Sequence, residues 1–227
     1  MSSATPPSSG TASPLVGDIT DKRLLRGART RRAVLDQAVD IASLDGLEGL
    51  SFGRLATDTG LSKAGIQSLF RTKEALQLAT VDHARSMFVD FVVRPALSAP
   101  RGVERIRELI GRWIVYAERP LFAGGCFQAA NLTEFDSRPG PIRDKLACNQ
   151  QEWIDALSSE FTFAVENGEI AALDVDLAAF QIDAVLRSAN TAMRLGDGAA
   201  GNKVRRVVEG LLRPPGRTSG QGADSRV

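Results

Sequence analysis

The chain of 227 residues has one histidine and two cysteines, and aromatic residues make up only 6% of it. A lone His excludes a His-rich metal centre and most acid–base constellations built on imidazole. Cys126 and Cys148 are too few for a disulfide scaffold or a Cys-rich zinc site. Long hydrophobic runs are missing as well. Stretches such as Phe91-Val92-Val93 are soon interrupted, far short of the roughly 18 residues of a membrane span. Nor is there charge of one sign: 28 Lys and Arg against 27 Asp and Glu leave +1, which excludes wholesale polyanion binding. The expectation is a water-soluble, cytoplasmic protein of one large or two small domains, with no membrane partner, no cofactor and no metal.

Residues that could carry chemistry read blandly. His83 lies beside Arg85 with no carboxylate, Ser or Cys at a catalytic spacing, which suits a solvated or hydrogen-bonded helix histidine. Cys126 and Cys148 read as free thiols, with a redox pair as the alternative, since Cys126 falls near a helix N-terminus where a thiol pKa is lowered. Asp174 and Asp176 suit a helix start. Gly124-Gly125 follows no strand and lacks the G-x-G-x-x-G spacing of a phosphate loop. No catalytic residue is expected, and the chain is not read as an enzyme.

What is present is a recurrent spacing of three and four. Val34, Ala38, Ile41 and Ala42 form one helical stripe that stops near Gly46. Phe52, Leu55 and Ala56 mark a second helix, and Ile66, Leu69 and Phe70 a third. Thr72 caps a fourth that runs to about Arg94, before Pro95. A fifth carries Val103 to Ala117, a sixth Phe127 to Phe135, and a long one Ile142 to Ala164, ended by Gly168. Two more cover about Val175 to Leu195 and Asn202 to Leu212. The fold class is all-α. Residues 1–22 and 214–227, rich in Ser, Pro, Gly and Ala, read as disordered tails around a domain at 23–76 and a larger one at 77–213.

The first domain holds a pattern with a mechanism. A helix-turn-helix needs a small residue where its helices touch, a glycine at the bend and apolar residues inside the second helix. Ala56, Gly60, Ile66 and Leu69 meet those demands, and Ser62 can cap the second helix. Lys63, Ala64, Gln67, Ser68 and Arg71 are left on one outward stripe, where a recognition helix presents side chains to a major groove. An αα-corner with a solvated outer face would have the same spacing. Charge favours DNA. Lys22, Arg23, Arg26, Arg29, Arg31 and Arg32 face only Asp21 between Ile19 and Leu35, whereas Pro141 to Leu195 carries an acidic excess.

The run Gly49-Leu50-Ser51-Phe52, Leu55-Ala56, Gly60-Leu61-Ser62-Lys63-Ala64-Gly65-Ile66 and Phe70-Arg71-Thr72-Lys73-Glu74-Ala75-Leu76 resembles the N-terminal domain of the TetR/AcrR family of bacterial transcriptional repressors. The resemblance spans roughly residues 28 to 76, and the all-α remainder suits that family's divergent C-terminal domain. A looser likeness to one subgroup covers Gly124 to Phe127 and Glu134 to Pro141. The resemblance implies that Ser51 and Ser62 cap helices and hold phosphates, that Lys63 lies at the groove, and that Lys73 contacts the DNA backbone. With Arg31, Ala64, Gln67 and Ser68 these are the expected DNA-binding residues, on a palindromic double-stranded operator. Gln67 and Leu69 depart from the Tyr, and Tyr or His, often found there; Gln67 is suited to an adenine. Ser51 replaces a more usual Thr.

Ten of the aromatic residues lie between Arg85 and Phe163. Such residues are ordinarily core, but the resemblance implies an effector pocket, for which Phe88, Trp113, Tyr116 and Phe127 are the candidates. No buried cluster of opposing charges is legible, so a small apolar effector is expected. The helix from Val175, apolar on more than one face, suits either a homodimer interface or a central core position. The resemblance implies repression relieved when the effector displaces the fourth helix. Two rivals stay open: a helical small-molecule-binding or catalytic protein whose helix-turn-helix is only a scaffold, and a DNA binder without a ligand.

Overall fold

The computed structural model describes residues 15–119 and 121–215, with side chains from residue 24 onward. Among the described residues it is all-helical: α1 (Leu15–Asp45), a 3₁₀ turn (Leu47–Gly49), α2 (Phe52–Thr59), α3 (Lys63–Phe70), α4 (Lys73–Phe88), α5 (Val103–Glu118), α6 (Phe127–Phe135), α7 (Pro141–Glu166), α8 (Val175–Arg194) and α9 (Ala200–Leu211). Val34, Ala38, Ile41 and Ala42 are all buried, so the stripe read from their spacing is the inner face of α1. Thr72 caps α4 by accepting from the Ala75 N–H at 3.0 Å, and Asp174 caps α8 by accepting from the Leu177 N–H at 2.9 Å.

Two helix limits differ from expectation. α1 is helical from Leu15, inside the stretch whose composition suggests a tail; residues 1–14 and 216–227 of the two tails lie outside the described residues. Leu24 and Leu25 are exposed, so residues 24–29 of α1 are not held by the core. This stretch propagates from the packed half, where nucleation has already been met. At the other limit, α4 does not stop before Pro95. A π turn at Val89–Val93, in which the Arg94 N–H reaches the Val89 carbonyl, leads into a last turn at Arg94–Ala96. That widened register lies where the proline ring would otherwise meet the carbonyl four residues back.

One contiguous core joins the N-terminal helices to the rest. The end of α1 and the 3₁₀ turn are docked on the segment from Phe122 through α6. Asp40 Oδ1 accepts from the Ala123 N–H at 3.0 Å, and Ser43 Oγ from the Gly124 N–H at 2.8 Å. Only glycine fits at 124, because a Cβ there would fall into the Ser43 carbonyl. Asn131 donates to the Ala42 carbonyl at 3.1 Å and accepts from the Leu47 N–H at 2.8 Å. Glu134 accepts from the N–H groups of Leu47 and Glu48 at 2.8 and 3.2 Å. Gln77 of α4 closes the arrangement by donating to the Leu47 carbonyl at 2.9 Å.

Candidate nucleic-acid interface and internal cavity

Local chemistry sets the geometry of α2 and α3. Ser51 Oγ accepts from the Arg54 N–H and Ser62 Oγ from the Gly65 N–H, both at 3.1 Å, so each serine caps its helix as expected. Each hydroxyl keeps its own proton to give to an outside acceptor. Gly60 ends α2 at φ 69°, a left-handed bend that a side chain would strain. Ile66 and Phe70 are buried and Leu69 is half-buried, fixing the inner face of α3. Lys63, Ala64, Gln67 and Ser68 are all exposed on the other side. Ser68 Oγ donates to the Gly65 carbonyl at 2.7 Å, which leaves its lone pairs outward.

Three of the expected DNA-binding residues meet in a surface cleft of about 260 Å³. Ser51, Lys63 and Lys73 line it together with Phe52, Gly53 and Leu76. The N-terminus of α2 and an ammonium that has no ion-pair partner among the described residues, Lys63, make this a place for an anion. Lys73 is less free than expected. Its Nζ lies 2.8 Å from Glu48 Oε2 and 2.9 Å from the Glu48 carbonyl, tying the start of α4 to the 3₁₀ turn. The hydrogen bond from Lys73 holds the Glu48 carboxyl below its ordinary range. Arg31 stacks with its guanidinium 4.9 Å from the Phe70 ring centroid, at the far end of α3 from the cleft.

The second feature is an internal cavity of about 60 Å³ between α4, α5, α6, α7 and α8. Phe88, Trp113, Tyr116 and Phe127 all line it, as expected, with Phe122 and Trp153 besides. The rings meet edge to face: Phe88 stands 5.4 Å from Tyr116 and 5.5 Å from Trp153, and Phe122 links Tyr116 to Phe127. Tyr116 Oη accepts from the Phe127 N–H at 3.1 Å, and Asn190 Oδ1 from the Cys126 N–H at 3.1 Å, so the start of α6 is held by one side chain of the cavity wall and one of α8.

Residues 102–208 match the model of the tetracyclin repressor-like C-terminal domain. The chain resembles the TetR family in that domain and in its fold. Its fold is that of a TetR-family transcriptional regulator from Chloroflexus aurantiacus J-10-FL, 26% identical, with a TM-score of 0.73 over 82% of this chain and 94% of that one. A TetR-family regulator from Streptomyces coelicolor is 20% identical, with a TM-score of 0.70 over 82% and 95% of the two chains. AibR in complex with isovaleryl coenzyme A and operator DNA is 22% identical, with a TM-score of 0.68 over 81% and 98%. No curated protein sequence matches.

The cavity is more polar than the sequence suggests. Asp183, Gln150, Asn149, Arg85 and Arg187 also line it, and a carboxylate is buried there beside an exposed guanidinium. Asp183, 4% exposed, accepts from Gln150 and pairs with Arg187 at 3.0 Å. Glu160, in a separate cluster, is buried against Arg101 and Arg105 and accepts from the Gly102 N–H at 2.8 Å. Asp183 had a sequence signal: it falls four residues after Ala179 and three before Leu186, on the apolar face of α8. Arg187, four residues on, has the spacing of a helix ion pair; Arg85, Arg101 and Arg105 had no signal, because their partners lie on other elements.

Cys126 and Cys148 are free thiols and His83 is a hydrogen-bonded helix histidine, as read, and the structure adds detail to each. Burial pushes the Cys126 thiol up, against the lowering expected at a helix start, and Cys148 is exposed on α7. His83 does have a carboxylate, 47 positions away in α1: its Nε2 is 2.6 Å from Asp36 Oδ1. Among the described residues no cluster of His, Cys, Asp and Glu is arranged to hold a metal ion, and no helix is long and apolar enough to cross a membrane.

Proposed function

We propose that the chain is a homodimeric, cytoplasmic repressor whose α3 reads a palindromic operator and leaves it when a small molecule fills the cavity. The observation that carries the reading is the two-sided character of α3. Ile66 and Phe70 bind it to the core while Lys63, Ala64, Gln67 and Ser68 face solvent beside a cationic cleft. Arg26, Arg29, Arg31 and Arg32 stand exposed along the neighbouring α1, giving phosphates a basic rim.

The cavity is linked to this head by two routes. Phe88 lies in α4, whose first residue is tied to the 3₁₀ turn through Lys73 and Glu48. Phe127 opens α6, whose Asn131 and Glu134 grip the same turn. That turn leads into α2. An occupant that presses on Phe88 and Phe127 acts on both routes at once, and so shifts the heads relative to each other. A bias of a few kcal/mol toward the shifted state is enough to empty an operator. AibR, of the same fold, holds isovaleryl coenzyme A and operator DNA, which supports a small molecule and DNA acting on one scaffold. Dimerisation is supported by α8, where Leu177 and Phe180 remain exposed on the face turned from the core.

Fluorescence anisotropy with DNA from upstream of the chain's own gene tests the reading. Saturable binding that weakens with salt and falls at least tenfold in Lys63→Ala and Gln67→Ala is expected. Binding no tighter than to random DNA, here and after selection of a preferred site, would return the helix-turn-helix to a scaffold.

A further inference from the structure

The cavity is lined by groups of two chemistries. Some are aromatic, Phe88, Trp113, Tyr116 and Trp153 among them. Others are polar: a buried carboxylate, Asp183, and Asn149, which is 8% exposed and makes no side-chain hydrogen bond among the described residues. A buried amide without a partner, beside open space, invites a ligand group that donates or accepts there.

We propose that the effector of this cavity is a protonated amine on an apolar, ring-bearing body, its ammonium seated against Asp183 and Asn149. The proposal rests on the reading of the cavity as the effector site. Three observations set the sign of the charge. Both cavity-lining guanidiniums already have carboxylates: Arg85 lies 2.9 Å from Glu152, and Arg187 lies 3.0 Å from Asp183. A ligand carboxylate would have to displace one of these and would face buried Asp183 as a like charge. Asp183 and Arg187 are also unequal partners, since the Asp183 side chain is 6% exposed and that of Arg187 is 46% exposed. An arriving ammonium can therefore take over the carboxylate while the guanidinium swings into water, where its charge is solvated at little cost. Finally, the negative faces of aromatic rings favour a cation over an anion in the space they enclose.

The two tryptophans of the chain, Trp113 and Trp153, both line the cavity, so intrinsic fluorescence reports its occupation directly. Three probes of like size separate the charges: 2-phenylethylammonium, 3-phenylpropan-1-ol and 3-phenylpropanoate. The ammonium probe is expected to quench saturably and to bind roughly tenfold tighter than the alcohol, with the carboxylate weakest. Asp183→Asn, of the same shape, should abolish that preference while leaving alcohol binding in place. Arg187→Ala should move the other way and strengthen the ammonium probe severalfold by releasing its carboxylate. If Asp183→Asn does not fold, as judged by circular dichroism, the gain in Arg187→Ala still decides. Alcohol or carboxylate binding as tight as the ammonium overturns the proposal, as does the absence of saturable quenching into the millimolar range. DNA anisotropy on the same preparation keeps the two readings apart. Intact operator binding with reversed or absent charge preference sinks the amine alone, whereas absent operator binding sinks the regulator.

Discussion

Tyr116 does two things with one side chain. Its ring is part of the cavity wall, and its hydroxyl accepts the Phe127 N–H that α6 cannot satisfy internally. Tyr116→Phe keeps the ring and orphans that donor, so a loss of about 1–3 kcal/mol is expected in urea unfolding. Burial raises the pKa of this phenol and of the neighbouring Cys126 thiol, so both stay protonated at neutral pH. A thiol reagent such as Ellman's disulfide should therefore modify Cys148 alone in the folded protein, with Cys126 reacting only after denaturant is added. Rapid modification of both would contradict the burial. The aromatic quartet of the cavity was chosen from the clustering of rings between Arg85 and Phe163 together with the family resemblance, since ring spacing alone reads as core. The Asp36 partner of His83 was not legible, since a pair 47 positions apart exists only once α1 and α4 have packed.

Among the elements, the 3₁₀ turn between α1 and α2 is held from the most sides. Glu48 contributes through a carboxyl whose pKa is lowered in the folded state by the hydrogen bond from Lys73. A lowered folded pKa adds stability above the unfolded value, and that increment is lost as pH falls through the folded one. Thermal melts from pH 5 down to pH 3 should show this loss in the native protein. In Lys73→Met the same interval should show a shallower fall, because the partner that lowers the pKa is gone. Gly124→Ala would drive a methyl group into the Ser43 carbonyl, and overpacking against backbone of this kind costs about 1–3 kcal/mol. The expected readout is a lower melting temperature together with weaker DNA binding, since Ser43 ends the helix that carries the head. The positions of the helices were legible from their periods and caps; Ser51, Ser62, Thr72 and Asp174 all cap as read. The π turn through Pro95 was not, because the signal of proline is to stop a helix and only a register shift in the fold overrides it. The helical start of α1 was hidden by a composition poor in apolar periodicity.

At the scale of the whole molecule, α1 and α8 offer surfaces of different kinds. Exposed arginines run along the first half of α1, while Leu177 and Phe180 break the polar surface of α8. Phe180, 60% exposed, gives the direct test of a two-fold assembly. Phe180→Glu should shift sedimentation toward the monomer and cost operator affinity through the lost second head, while the melting of the single chain changes by no more than about 0.5 kcal/mol. An unchanged sedimentation coefficient would place the interface elsewhere. The segregation of charge could be read along the chain because it depends on composition, whereas the exposure of one face of α8 could not. The same small residues, Ala178, Ala179 and Ala189, suit a helix buried on one side or on all, and the fold buries one.

The small volume of the cavity also sets the kinetics of any response. A space of about 60 Å³ walled by side chains of five helices leaves little clearance for a ring with a polar end, so full seating calls for the walls to yield. The helices around it must first breathe apart, and motions of that size run in microseconds to milliseconds. Observed association rates should then rise with probe concentration only to a ceiling, the frequency of opening, instead of climbing toward the diffusion limit. The same gate acts on departure. Once closed around a fitting molecule, it would let go slowly, so that release from the operator outlasts the pulse of effector that caused it.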